Sequence, residues 1–288
     1  MISTKLNLQE KLSLTCSRAG TCCHGNQVLL NPWELYCLAR EKKISPKEFR
    51  NLYCDFAGIR LKFDGKEDLR GKKSCSQYIE NFGCSLHLGR PLACRLFPLG
   101  RQIQSEKVNY IFQGTTFPCL DGCPEVVELP QLTVEEYLKG QETENFETAQ
   151  DAYLEIMQNI ADIAFELLLD TELANSGEKE TLKLWRKMGT ETPDELAERI
   201  GTEWLDLLMI PEIISEFENP QNFTEKHYNL IQEKAQEKFG DLQSMTELQE
   251  ASVLMMAIAL LLAKAIGADP QNLADHWVET AKSFGAKE

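Results

Sequence analysis

All ten cysteines of the chain, Cys16, Cys22, Cys23, Cys37, Cys54, Cys75, Cys84, Cys94, Cys119 and Cys123, precede residue 124, and the following 165 residues have none. Free cysteines acting as small buried hydrophobes would be scattered. Disulfides belong to oxidising compartments, whereas this density in a cytosolic chain points to metal or redox chemistry. Met1 to Thr15 carries Lys5, Glu10 and Lys11 and lacks the apolar run of a secretory signal. The longest uninterrupted apolar run, Val253 to Ala263, is 11 residues, against about 20 for a membrane span. The expectation is a cytoplasmic chain that does not enter a membrane.

Charge divides the chain near the same place. Residues 1–130 hold 18 Lys+Arg and 13 Asp+Glu, while residues 131–288 hold 12 and 32. A net positive cysteine region offsets the negative charge of thiolate ligands. A strongly acidic second half argues against nucleic acid, whose binding gains from a positive field, and against an anionic membrane surface. Its field suits instead a basic protein partner. Two regions are expected, 1–130 holding the cysteines and 131–288 all-helical and acidic.

The fold class read from the pattern is α+β, predominantly helical: a small mixed cysteine-rich front with short strands, then a helical body. Asn31-Pro32-Trp33-Glu34 and Ser45-Pro46-Lys47-Glu48 each supply a cap, a first-turn proline and a reciprocal glutamate. Phe49, Leu52, Tyr53 and Phe56 follow as a helical stripe with Cys54 off it, and Ile59, Leu61 and Phe63 alternate like a strand. Residues 101–104 and 108–112 read as a hairpin. Beyond Gln131, caps at Thr133, Thr192, Thr246 and Asp269 punctuate helical segments near 142–170, 178–190, 193–209, 223–239, 247–266 and 270–284. Cys37, beside Trp33, Leu35, Tyr36 and Leu38, and the Met255-Met256 pair read as core.

Three clusters carry the chemistry. The first is Cys16-Ser-Arg-Ala-Gly-Thr-Cys22-Cys23-His24-Gly25, with Gly20 and Gly25 able to turn the backbone so that amides face an anionic centre. The second runs from Cys75 through Cys84 to Arg90-Pro91-Leu92-Ala93-Cys94-Arg95-Leu96-Phe97-Pro98, where either arginine could neutralise the Cys94 thiolate. The third is Pro118-Cys119-Leu-Asp-Gly-Cys123-Pro124. Adjacent Cys22 and Cys23 are not expected to present both sulfurs to one small ion. His24 and His87 are further nitrogen donors, and as bystanders they would be surface or capping histidines.

In combination and order, these motifs resemble the YkgJ-type cysteine-cluster family over roughly residues 14–125. Its members are described as zinc- or iron-chelating and also as iron–sulfur proteins, and flagellin lysine N-methylases contain a related domain. The resemblance implies metal ligation by Cys16, Cys22, Cys23, Cys75, Cys84, Cys94, Cys119 and Cys123. The family's first motif is commonly CxxCGxCC, and here Ala19 stands at its second cysteine position, which removes one ligand position. Many thiolates and few histidines suit zinc or an iron–sulfur cluster, and the division between one site and two stays open.

Three functional readings follow. The first is a metal-binding protein with an electron-transfer role. The second, from the family analogy, is a lysine N-methylase using S-adenosylmethionine, although no glycine-rich nucleotide loop is present. The third is an interaction module in which the acidic helices dock a protein and the metal is only a staple.

Overall fold

The computed structural model describes residues 3–12, 20–104, 107–113, 131–169, 178–213, 219–242 and 244–288. These pack as two compact units. One comprises residues 1–28, 37–53 and 61–147, and the other residues 29–36, 54–60 and 148–288. The short strands lie in the N-terminal region and a helical body follows, so the α+β, mainly helical expectation is borne out.

Several short elements of the cysteine-bearing unit carry or adjoin thiols. The predicted hairpin forms as Leu99–Gln104 against Lys107–Gln113, with Leu99 opposite Phe112 and Gln104 opposite Lys107. Ser3–Leu6 adds a third antiparallel strand, Leu6 opposite Tyr110, which local patterning did not reveal. A second hairpin, Tyr78–Ile79 with Gly83–Cys84, sets Tyr78 directly across from Cys84. Such cross-strand neighbours stand about 4.5–5.5 Å apart at Cβ. A short helix, Leu92–Leu96, carries Cys94 and leads into the Leu99 strand.

The Pro46–Tyr53 helix corrects part of the expected stripe. Phe49 is fully buried, but Leu52 is 52% exposed and Phe56 falls in a separate 3-10 turn. Cys54, expected on this helix off its stripe, lies past it in the short Cys54–Asp55 strand and is buried. Cys37 is core, as expected.

The helical unit follows its caps closely. Asn31 and Glu34 exchange reciprocal bonds, the Glu34 amide to Asn31 Oδ1 at 2.9 Å and the Asn31 amide to Glu34 Oε2 at 3.0 Å. Thr192 and Glu195 form a complete capping box on Pro193–Met209, and Asp269 caps Pro270–Ser283. The Pro220–Phe239 helix begins three residues earlier than its periodicity suggests, because Asn219 accepts from the Gln221 and Asn222 amides. The cap expected at Thr246 is overturned. Ser244 takes that place, accepting from the Glu247 amide, while Glu247 accepts from the Ser244 amide and hydroxyl.

Met245–Ala265 is the one described helix long and apolar enough to cross a membrane. Twelve of its residues are buried in the protein, including Met255, Met256 and the run Ala257 to Ala263, and it serves as the core of this unit. Trp185, Trp204 and Trp277 are buried in the same unit.

Candidate metal centre

The first and second cysteine clusters meet through backbone pairing. Gly20, in the left-handed region at φ +78°, turns the chain into the 3-10 segment Thr21–Cys23. That segment docks on Ser74–Cys75: the Cys75 amide donates to the Cys23 carbonyl at 2.7 Å, His24 bridges to Ser74, and the Gly25 amide reaches the Lys73 carbonyl at 3.0 Å. A side chain at residue 20 would collide with Tyr78, since a Cβ there would lie 2.4 Å from the ring's Cε2. Glycine here therefore allows both the turn and the close approach of the Tyr78 hairpin.

A cavity of about 50 Å³ results, and five cysteines, Cys22, Cys23, Cys75, Cys84 and Cys94, line it. Val28, Leu38, Leu61 and Phe63 supply apolar wall, and Tyr78, His87 and Arg90 also face in. Cys37 and Cys54 are absent from this wall. Cys16, Cys119 and Cys123 lie outside the described residues. Cys22 and Cys23 both line this cavity, with their sulfurs 4.0 Å apart. Two sulfurs on one tetrahedral zinc stand about 3.8 Å apart, given Zn–S near 2.3 Å.

Electrostatics single out Cys22. Its thiol is held below the ordinary value, first by the hydrogen bond from Cys23 and also by the positive charge of Arg90. Cys23 is correspondingly raised by giving that bond and by its own burial. Burial pushes Cys75 up to about 11 and raises Cys84 and Cys94 too, and a charged Cys22 adds to the rise at each. Amide donors oppose this, from Gln77 to Cys75 Sγ at 3.5 Å and from Leu86 to Cys84. Such N–H···S contacts favour the thiolate. Among the described residues, no three Cys, His, Asp or Glu side chains already stand as a set that would hold a metal ion. The thiols share a wall, and turning their sulfurs inward would complete a site.

The two arginines around Cys94 have different roles. Arg90 lines the cavity, with its Nη2 donating to Gln141 Oε1 at 2.8 Å. Arg95 instead grips backbone carbonyls: Nε to Arg90 at 2.9 Å, Nη1 to Gln141 at 2.6 Å, and Nη2 to Leu88. Its guanidinium lies 3.9 Å from the Phe146 ring centre. Burial brings the Arg95 pKa down to about 10.

The histidines divide as well. His24 Nδ1 lies 2.8 Å from the Gly20 carbonyl, and its ring meets Tyr78 edge-on. His87 is the histidine on the cavity wall. It is one of the two histidines that the sequence offered as nitrogen donors, three residues after Cys84. Tyr78 and Gln141 were legible only in three dimensions.

Beside the thiols lies an open cleft of about 830 Å³, lined in part by His24, Tyr53, Asp64, Lys66 and Glu80. Cys75 and Tyr78 line both the cleft and the cavity. A second molecule could therefore approach the edge of the thiol wall.

This construction defines a class, a small mixed domain gathering thiols from separate stretches around one cavity. Residues 15–111, about a third of the chain, match the family CxxCxxCC, described as "Putative zinc- or iron-chelating domain". The cysteine-cluster resemblance is thus borne out over that stretch. The family's zinc or iron is the metal class the cofactor expectation named. No curated protein and no solved structure matches the chain.

Proposed function

We propose that this chain is a metal-binding protein whose centre is held by cysteine thiolates at the cavity, with Cys22, Cys75, Cys84 and Cys94 as principal ligands and Cys23 beside them. One observation carries the reading. All five described motif cysteines face one cavity, whereas the two other described cysteines, Cys37 and Cys54, do not. Metal binding would offset the cost of gathering buried thiols by replacing their protons with a cation.

An iron–sulfur centre with an electron-transfer role is the preferred form. Four thiolates suit an iron–sulfur cluster as they suit zinc, and the cavity also has Cys23, with Cys16, Cys119 and Cys123 as further donors. The adjoining cleft favours a centre that a partner can approach. A zinc site is the second reading, favoured by the histidine His87 on the thiol wall. The S-adenosylmethionine reading gains nothing from the thiol cavity. At about 50 Å³ it falls far short of the roughly 300–1,000 Å³ of organic-ligand pockets.

Anaerobic purification followed by iron, zinc and sulfide analysis, with electron paramagnetic resonance before and after reduction, tests this. Stoichiometric iron and sulfide support the cluster, and stoichiometric zinc alone transfers the role to the second reading. Colourless protein lacking both metals would remove the proposal.

A further inference from the structure

Gathering several thiolates in a partly apolar cavity creates a local excess of negative charge. Zinc bound by four thiolates, or a two-iron cluster in its oxidised form, carries a net negative charge even with the metal counted. Removing such a charge from water is costly unless an opposite charge is fixed nearby. Lysine would supply a mobile and titratable charge, whereas arginine supplies a permanent planar one.

The geometry points to Arg90 as the fixed cation of the thiol centre and to Gln141 as the residue that positions it. This inference deepens the metal-binding reading and rests on it. Arg90 is only 8% exposed and lies on the cavity wall with the five cysteines. Pro91, the next residue, is also part of that wall and accepts the Cys94 amide at 2.9 Å, so the backbone carrying Arg90 is tied to the loop presenting a thiol. Gln141 Oε1 receives the Arg90 Nη2 proton at 2.8 Å, fixing one edge of the guanidinium.

The same residue is held a second way. Arg95 donates to the Arg90 carbonyl and to the Gln141 carbonyl, joining the backbones of cation and tether. Arg95 thus acts as a brace and Arg90 as the charge. The positive charge of Arg90 helps hold Cys22 low and partly opposes the rise that burial gives Cys84 and Cys94. Those thiols come from both cysteine clusters, so one guanidinium serves sulfurs supplied by distant parts of the sequence.

The test compares Arg90→Lys, Arg90→Met and Gln141→Leu in the full chain. Zinc is used as the probe, with affinity read by chelator competition and folding read by thermal melting. Loss of an outer partner of a metal ligand typically weakens metal affinity by about 10–100-fold. Arg90→Met should fall in that range, while Arg90→Lys, which keeps a charge but not the planar edge that Gln141 holds, should lose less. Gln141→Leu keeps the cation but removes that bond, and should fall between the parent and Arg90→Met with an unchanged melting temperature.

Equal losses in Arg90→Lys and Arg90→Met would make shape rather than charge responsible and overturn the inference. So would parental affinity in Arg90→Met. Should Arg90→Met not fold, Gln141→Leu decides alone, and parental affinity there rejects the tether and the proposal with it. Failure of the parent protein to bind zinc or iron is a different result, because it removes the metal-binding reading itself.

Discussion

Replacing Gly20 by alanine separates the two roles of that glycine, with Gly71→Ala as the control. Both glycines sit in the left-handed region, at φ +78° and +73°. An alanine there costs about 1–2 kcal/mol. At Gly71 nothing lies within 4 Å of the added methyl, so the backbone cost is the whole effect. At Gly20 the methyl would lie 2.4 Å from Tyr78 Cε2 and 2.8 Å from its Cζ and hydroxyl. Carbon atoms prefer about 3.5–4.0 Å, so the ring must retreat by about 1 Å or more. Tyr78 is not free to swing, since its ring packs against His24 and its backbone is paired with Cys84.

Overpacking of this kind costs about 1–3 kcal/mol, giving roughly 2–5 kcal/mol in total for Gly20→Ala. Moving Tyr78 also moves the hairpin bearing Cys84, so zinc affinity should fall by about tenfold or more, as for lost outer partners. Urea unfolding of the metal-free proteins under reducing conditions, alongside chelator competition, measures both effects. Equal destabilisation of the two variants, with parental zinc affinity in Gly20→Ala, would refute the reasoning.

Other outcomes follow from the same structure. Cys22→Ser should abolish stoichiometric metal binding while Cys37→Ser and Cys54→Ser keep it, as elemental analysis of purified variants will record. Metal binding should release roughly three or four protons per ion near pH 7, because Cys84, Cys94 and Cys75, the last raised to about 11, must be deprotonated. Calorimetry in buffers of differing ionisation enthalpy reads that number, and proton-free binding would contradict it.

His227 predicts acid sensitivity in the helical unit. It is fully buried between the Tyr153 hydroxyl and the Leu207 carbonyl, 2.9 Å from each, and burial takes its pKa from 6.5 to about 4. The unfolded chain therefore binds the proton more tightly. This contribution is full above pH 6.5 and is lost as pH falls towards 4, by about 3 kcal/mol at 1.36 kcal/mol per unit. Denaturant melts from pH 7 to 4 should show a shallower loss in His227→Gln than in the parent.

Features fixed by neighbours in sequence were legible in advance. The helices at Glu178–Thr190 and Pro193–Met209 match their expected spans, the second because its period agrees with the Thr192 capping box. Ser244 and Thr246 each head a sequence fitting the capping pattern. Ser244 prevails with a charged Glu247, which bonds both its amide and its hydroxyl, where Thr246 would have had neutral Gln249. Features set by distant partners were not legible. The Ser3–Leu6 strand depends on residues more than a hundred positions away. Arg90 and Arg95 stand on either side of Cys94 in sequence, yet Arg95 occupies the next position of the same helix, about 100° around its axis from Cys94. It therefore points to carbonyls, while Arg90 meets Gln141, 51 residues on.

The convergence of thiols from separate stretches on one metal is best tested by anomalous diffraction from crystals of anaerobically prepared protein, collected at the iron and zinc edges. The account predicts a peak within the cavity, with the sulfurs of Cys22, Cys75, Cys84 and Cys94 at about 2.3 Å from metal. A peak bound elsewhere, on surface carboxylates or histidines, with these sulfurs left as thiols, would contradict it.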